Sequence, residues 1–253
     1  MARLFDGTND SLQSAASVAL SSATLLTLAF WMYWDSFAND DDLALETSAN
    51  SNSNDGTFII DPNEASGVFA LGCKNSTLFN IVTFTRPSAG AWHHYAITAE
   101  FTAAQSVSAV YVDNVSQTLI VYGGSGTLTG TFLDYTWNFM SRNNTGLFAA
   151  GRLAEFGVWT GVNLNASEIA ALSKAYSPAL IRPASLAHCW KLLGRLSPET
   201  PTRGGVNLTV NGAVASEHVR MIYPDVATGR KMTSAAAAPV VVPYQRWLQR
   251  GPI

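Results

Sequence analysis

The run LLTLAFWMYWDSF, residues 25–37, is apolar at odd and even positions alike. A segment of that length and aromatic content, with no polar face, belongs in the middle of a sheet that is covered on both sides. Around it, shorter segments keep a period of two: LALETSA, GTFIID, GVFALGC and LFNIVTF follow at close intervals, separated by Asn, Asp, Gly, Pro and Ser. Evenly spaced short strands with such punctuation predict a β-sandwich or barrel. In SVSAVYVDNVSQTLIVYGG, the pair Asp113-Asn114 tolerates positive φ at both positions, so a tight hairpin is expected there.

One segment breaks the pattern. LNASEIAALSKAY, residues 164–176, is expected to be a helix. Asn165 caps the first turn and Glu168 reaches back in a capping box, while Leu164 and Ile169 form the flanking apolar staple. Ile169, Leu172 and Tyr176 share one stripe, and Pro178 ends the element. LAHCWKLLG (186–194) and NLTVNGAVAS (207–216) then return to strand character, joined by the loop RLSPETPTRGG.

With 253 residues the chain can bury a large core, roughly 70–75% of its unfolded surface. Charged residues make up 13% and the net charge is −3. There is thus no basic footprint for counterion release, and nucleic acid is excluded as a partner. The longest apolar run is too short to span a bilayer, so membrane insertion is not expected. Cys73 and Cys189 lie far apart in unlike contexts and read as buried thiols. The start MARLFDGTND shows no secretory pattern. Six Asn-x-Ser/Thr sequons in so Asn-, Ser- and Thr-rich a chain carry little weight.

WHHYAIT places His93 and His94 side by side. On a strand, neighbours point to opposite faces, so the two rings cannot chelate one ion together. One ring is expected at the core edge and the other toward solvent, with His188 and His218 isolated elsewhere in sequence.

Together, FDGTNDSL, LAFWMYW, WHHYAIT, AVYVDNV and GRLAEFGVWTGVNLNASEIAAL occur in the order typical of laminin G-like domains. Residues 2–176 resemble that group, which belongs to the concanavalin A-like lectins and glucanases, and PALIRPASLAHCWKLLG extends the likeness to a returning strand. The resemblance implies an all-β fold: an antiparallel two-sheet jelly-roll sandwich with one short helix at about 165–176. Residues 1–224 would form this domain. Residues 225–253 read either as a disordered tail or as a linker and extended docking arm, with Tyr244, Arg246, Trp247 and Leu248 as partner-binding residues, since buried aromatic and Arg side chains anchor interfaces.

Catalytic members of the fold carry Glu-x-Asp-x-x-Glu, because a retaining glycosidase needs two close carboxyl groups. That pattern does not occur here, and Asp42 with Glu46 is the nearest substitute. The chain is therefore not expected to be an enzyme. Relatives often read Asp-Glu where this chain has Ala154-Glu155, so one calcium ligand is missing. Asp6, Asp10, Asp41 and Glu155 are the residual calcium candidates, and no other cofactor is indicated. Trp31, Trp34, Trp137 and Trp159 are candidate sugar platforms, although aromatics in strands are more often core.

Two functional readings result. In the first, the chain is a non-enzymatic phage virion protein, a capsid decoration or head- or tail-fibre-associated module assembled in the host cytoplasm. Its arm would hold it to other virion proteins, in an oligomer or symmetric assembly, with adhesion to cell-surface glycan as a further role. In the second, it is a carbohydrate-binding lectin-like module outside any virion; a glycoside hydrolase ranks third.

Overall fold

The computed structural model describes residues 1–20, 22–37 and 42–223. The first half of the sandwich comprises β1 (Ala2–Asp6), β2 (Ser11–Ser14), β3 (Leu25–Trp34), β4 (Leu45–Glu46), β5 (Thr57–Ala65), β6 (Val68–Lys74) and β7 (Phe79–Thr85). Then come β8 (Trp92–Glu100), β9 (Val107–Val112), β10 (Val115–Ser116), β11 (Ile120–Gly123), β12 (Asn138–Phe139) and β13 (Ala150–Thr160). The helix α1 (Ala166–Ser173) leads to β14 (Leu186–Trp190), β15 (Leu208–Asn211) and β16 (Val214–Ser216).

Two antiparallel sheets result, each of eight strands among the described residues. The first runs β10-β9-β8-β3-β13-β1-β16, with β14 also on β13, and the second runs β11-β7-β6-β5-β4-β12-β2-β15. This is the all-β sandwich expected from the period-two pattern. The run at 25–34 is indeed a central strand. Leu26, Leu28, Phe30, Met32 and Trp34 face the second sheet, while Thr27, Ala29 and Trp31 are buried on the other side.

Between the sheets the core is a run of stacked rings. Phe84 packs on Phe69 at 4.7 Å, Phe69 on Tyr95 at 5.3 Å, Tyr95 on Phe30 at 5.3 Å, and Phe30 on Phe156 at 5.1 Å. Phe139 and Trp190 close around Phe156. Because Phe69 and Phe139 come from one sheet and Tyr95, Phe30 and Phe156 from the other, these contacts fix the spacing of the two layers.

The hairpin between β9 and β10 turns on Asp113 (φ 51°) and Asn114 (φ 67°), the two positive values a primed turn needs. The capping box forms as read: the Asn165 side chain accepts from the Glu168 N–H, and the Glu168 carboxylate accepts from the Asn165 N–H. Leu164 and Ile169 share one cluster with Ala29, Ala96 and Trp159, so α1 lies on the outer face of the first sheet. Small residues at 29 and 96 let it approach.

The helix is shorter than the sequence suggests. It stops at Ser173, and Ala175 turns the chain with φ 66°, so Tyr176 leaves the stripe and forms a parallel bridge with Ile222. That bridge supplies backbone partners which a last helical turn would have consumed. Cys73 and Cys189 are both buried and free, and burial raises the pKa of each thiol. Residues 225–253, including Tyr244, Arg246, Trp247 and Leu248, lie outside the described residues.

Removing the ring at the centre of the stack leaves a void both sheets must close. Phe156→Ala is expected to lower the unfolding free energy by about 3–5 kcal/mol, read as a shifted denaturant midpoint at unchanged slope.

Candidate functional site

The outer face of the second sheet carries a groove of about 380 Å³. Its floor is set by a glycine. Ile59, Gly72 and Ile81 pair in register across β5, β6 and β7, and a Cβ at position 72 would stand 2.7 Å from the Phe79 ring and 3.1 Å from Ile59. Phe79 and Ile59 therefore fold over the bare backbone and make an apolar floor. These side chains are the second face of GTFIID and LFNIVTF, the face turned away from the core.

Polar groups ring that floor: Asn52, Asp61, Glu64 and Arg142, with Leu43 and Leu147 at the far side. Arg142 is held in place. Its Nε lies 3.2 and 3.1 Å from the two oxygens of Glu46, which is fully buried on β4 and also accepts the Ser51 N–H at 2.6 Å. One of five guanidinium donors is thus committed, and the Nη donors have no protein partner among the described residues. Asp61 is buried and accepts the Asn63 N–H at 2.8 Å. An apolar floor with a fixed carboxylate and guanidinium and the exposed Asn52 amide suits a ligand that has an apolar face and many hydroxyls. The volume lies near the lower end of the roughly 300–1,000 Å³ usual for small-molecule sites.

Two other clefts, of about 330 Å³ each, flank Leu193 and Arg195 near the end of the described chain. Both are built from irregular segments, whereas the groove stands mostly on strands that hold its side chains in register.

The residues singled out in the sequence fall in several places. His93 and His94 do diverge, but the outward ring does not meet solvent. His94 is buried against Trp31 at 5.4 Å, and burial lowers its pKa to about 4 against the pull of Asp113. The expectation of a solvent face fails because the 218–223 segment covers that side of the first sheet, placing His218 against Trp31 and Trp92. His93, at the inner edge, meets the Asp113 carboxylate at 2.6 Å. His188 contacts the Ala19 carbonyl at 2.8 Å. No histidine pair forms a common site.

Asp6 and Asp10 come together: the Asp6 N–H donates to Asp10 Oδ2 at 3.0 Å. Donation from the Thr8 N–H lowers the pKa of Asp6; burial, with repulsion from Asp6, raises that of Asp10. Glu155 is elsewhere. Asp6 pairs with Ala150, five residues before it on β13, about 16 Å at 3.3 Å per residue. Both Glu155 oxygens take hydroxyl partners, Tyr223 at 2.5 Å and Ser177 at 3.3 Å. It is not a partner for Asp6 and Asp10 in a metal site. Asp41 lies outside the described residues, among which no three His, Cys, Asp or Glu side chains gather as a metal site. Asp42 and Glu46 do not make a catalytic pair, since Glu46 is sequestered by Arg142 and Ser51. Trp31, Trp34, Trp137 and Trp159 are all buried, so none is a sugar platform.

Residues 6–170 match the family model described as the concanavalin A-like lectin/glucanases superfamily. The chain belongs to this superfamily. Solved structures with the same architecture include a putative carbohydrate binding protein from Bacteroides ovatus, with a TM-score of 0.62 and 18% identity over 87% of this chain and 60% of that one. A native heptameric SAP-like pentraxin from Limulus polyphemus gives a TM-score of 0.52 and 15% identity, over 83% of this chain and 94% of that one. No curated protein sequence matches the chain. At these identities the likeness to both structures is one of fold.

Sequence reading passed over Asn52, Asp61, Phe79 and Arg142. Two cues were present: Ile59 and Phe79 make their strands apolar on both faces, and a glycine sits mid-strand between them. Because Arg142 is the cation facing a buried carboxylate, Arg142→Ala should destabilise the lectin-like fold by about 3 kcal/mol. Adding Glu46→Gln to that variant should restore part of the loss, as measured by chemical denaturation.

Proposed function

We propose that this chain is a non-catalytic carbohydrate-binding module that holds a glycan on the outer face of its second sheet. The observation that carries the reading is the groove over Gly72, where Phe79 offers an apolar surface beside Asp61, Asn52 and the anchored Arg142. A sugar ring has one apolar face and an equatorial belt of hydroxyls, and a fixed aromatic with fixed donors and acceptors matches both. The superfamily and the putative carbohydrate binding protein of the same fold support it. The state of Glu46 supports binding rather than hydrolysis: a carboxylate spent on Arg142 and a backbone N–H is poorly placed to attack or protonate a glycosidic bond.

A glycan array with the intact chain tests this. Phe79→Ala and Asp61→Asn should each weaken the strongest signal about tenfold or more, while leaving the melting temperature within a few degrees of wild type. Selective binding unchanged in both variants, or turnover of a bound polysaccharide, would sink the proposal.

A second reading concerns where the module works. The two buried, unpaired thiols suit assembly in a reducing cytoplasm, as for a phage particle protein released by lysis. In this reading the chain is a capsid decoration or fibre-associated module, anchored to other virion proteins through residues 225–253. Tyr244, Arg246, Trp247 and Leu248 would be the anchors, and the groove would present adhesion to the host surface. Deleting residues 232–253 should then abolish incorporation into particles, scored by immunoblot of purified virions, with glycan binding retained. Normal incorporation of the truncated chain would remove the arm from the account.

A further inference from the structure

Glu155 occupies an unusual backbone position. It lies inside β13 with φ 53°, a left-handed conformation uncommon for any residue but glycine. Here the register with β3 slips between Ala154 and Gly157, while the other edge of β13 passes from β1 to β14. The bulge turns the side chain onto the outer face of the first sheet, where it is buried. Two segments meet it there. Ser177 Oγ approaches one oxygen and Tyr223 Oη the other.

Tyr223 belongs to the segment that covers this face. Ile222 exchanges backbone hydrogen bonds with Ala175 and Ser177, Val219 and Met221 pack with Trp31, and His218 meets Trp31 and Trp92. The Tyr223 hydroxyl is the only side-chain hydrogen bond recorded between residues 217–223 and the sandwich among the described residues. We propose that Glu155 is a proton-operated latch which fastens residues 217–223 over the outer face of the first sheet, tight when its carboxyl is protonated and loosened when it ionises.

The charged and titratable groups around it come from every packed element. Lys191, just after β14, accepts the Glu155 N–H at its carbonyl and rests its Nζ 4.2 Å from the Tyr223 ring centre. Cys189 on β14 and the terminal amine beside β1 also lie within electrostatic reach. Arg195 and Arg220 line the cleft next to Tyr223. Burial dominates and pushes the Glu155 carboxyl up to about 7, against the lowering effects of the Tyr223 hydroxyl, Lys191, the Ser177 hydroxyl and the amine. His94 and His218, both lowered to about 4 by burial, titrate below this range.

The sign follows from linkage. An acid whose pKa is raised in the closed state adds stability that is fully present below its ordinary value of 4.5 and is lost as pH rises to about 7. Across that interval the ratio of closed to open latch should fall on the order of a hundredfold. Opening uncovers the Trp31 and Trp92 side chains.

Hydrogen–deuterium exchange of the full chain at pH 5 and pH 8.5, corrected for intrinsic chemistry, tests the latch. Protection at residues 175–177 and 217–223 should drop on the order of a hundredfold at the higher pH, with β6, in the middle of the second sheet, as an unchanged internal reference. Glu155→Gln, which cannot ionise, should flatten that dependence. Tyr223→Phe should lower protection of the same residues while β6 stays protected. A wild-type profile that ignores pH overturns the proposal even if no variant folds, and a Glu155→Gln profile that keeps the wild-type dependence overturns it too.

Discussion

The ring stack from Phe84 through Phe69, Tyr95 and Phe30 to Phe156 is what the rest of the architecture depends on. Phe84 and Phe69 come from the second sheet and Tyr95, Phe30 and Phe156 from the first, so the stack crosses between the layers at the Phe69–Tyr95 contact. Aromatic pairs add roughly 0.5–1.5 kcal/mol each beyond the area they bury. More important is geometry: with inner positions filled by broad rings, the polar work is left to the two outer faces.

Those faces have different fates. The first sheet is roofed by α1 and by residues 218–223, which pack on the small or apolar Ala29, Ala96, Trp31 and Ala154 of its outer face. The second has no such roof among the described residues, yet carries Ile59, Phe79 and Ile81 beside buried Asp61 and Glu46. Ile59, Phe79 and Ile81 form a contiguous apolar patch there, the kind of surface the proposed glycan would cover.

Much of this was legible beforehand. The both-face apolarity of residues 25–34, the positive-φ pair at 113–114 and the cap at Asn165 each rest on local physics and each appears as read. The divergence of His93 and His94 follows from strand geometry alone. What covers His94 could not be read, because it is brought from more than a hundred residues away by Val219 and Met221. The helix end at Ser173 was obscured for the same reason: a distant partner, Ile222, competes for the backbone of Tyr176 and Ser177. The groove escaped because Arg142 and Glu46 are 96 residues apart and meet only through the sheet. The candidate platforms Trp31, Trp34, Trp137 and Trp159 are buried, whereas the ring that lines the groove is Phe79.

The pairing of β1 with β16 has a mechanical consequence. Ala2 lies opposite Ser216, so the outer ends of β1 and β16 meet on one margin of the first sheet. A load applied through both ends would peel that short pair open one rung at a time, like a zip, instead of shearing all its rungs at once.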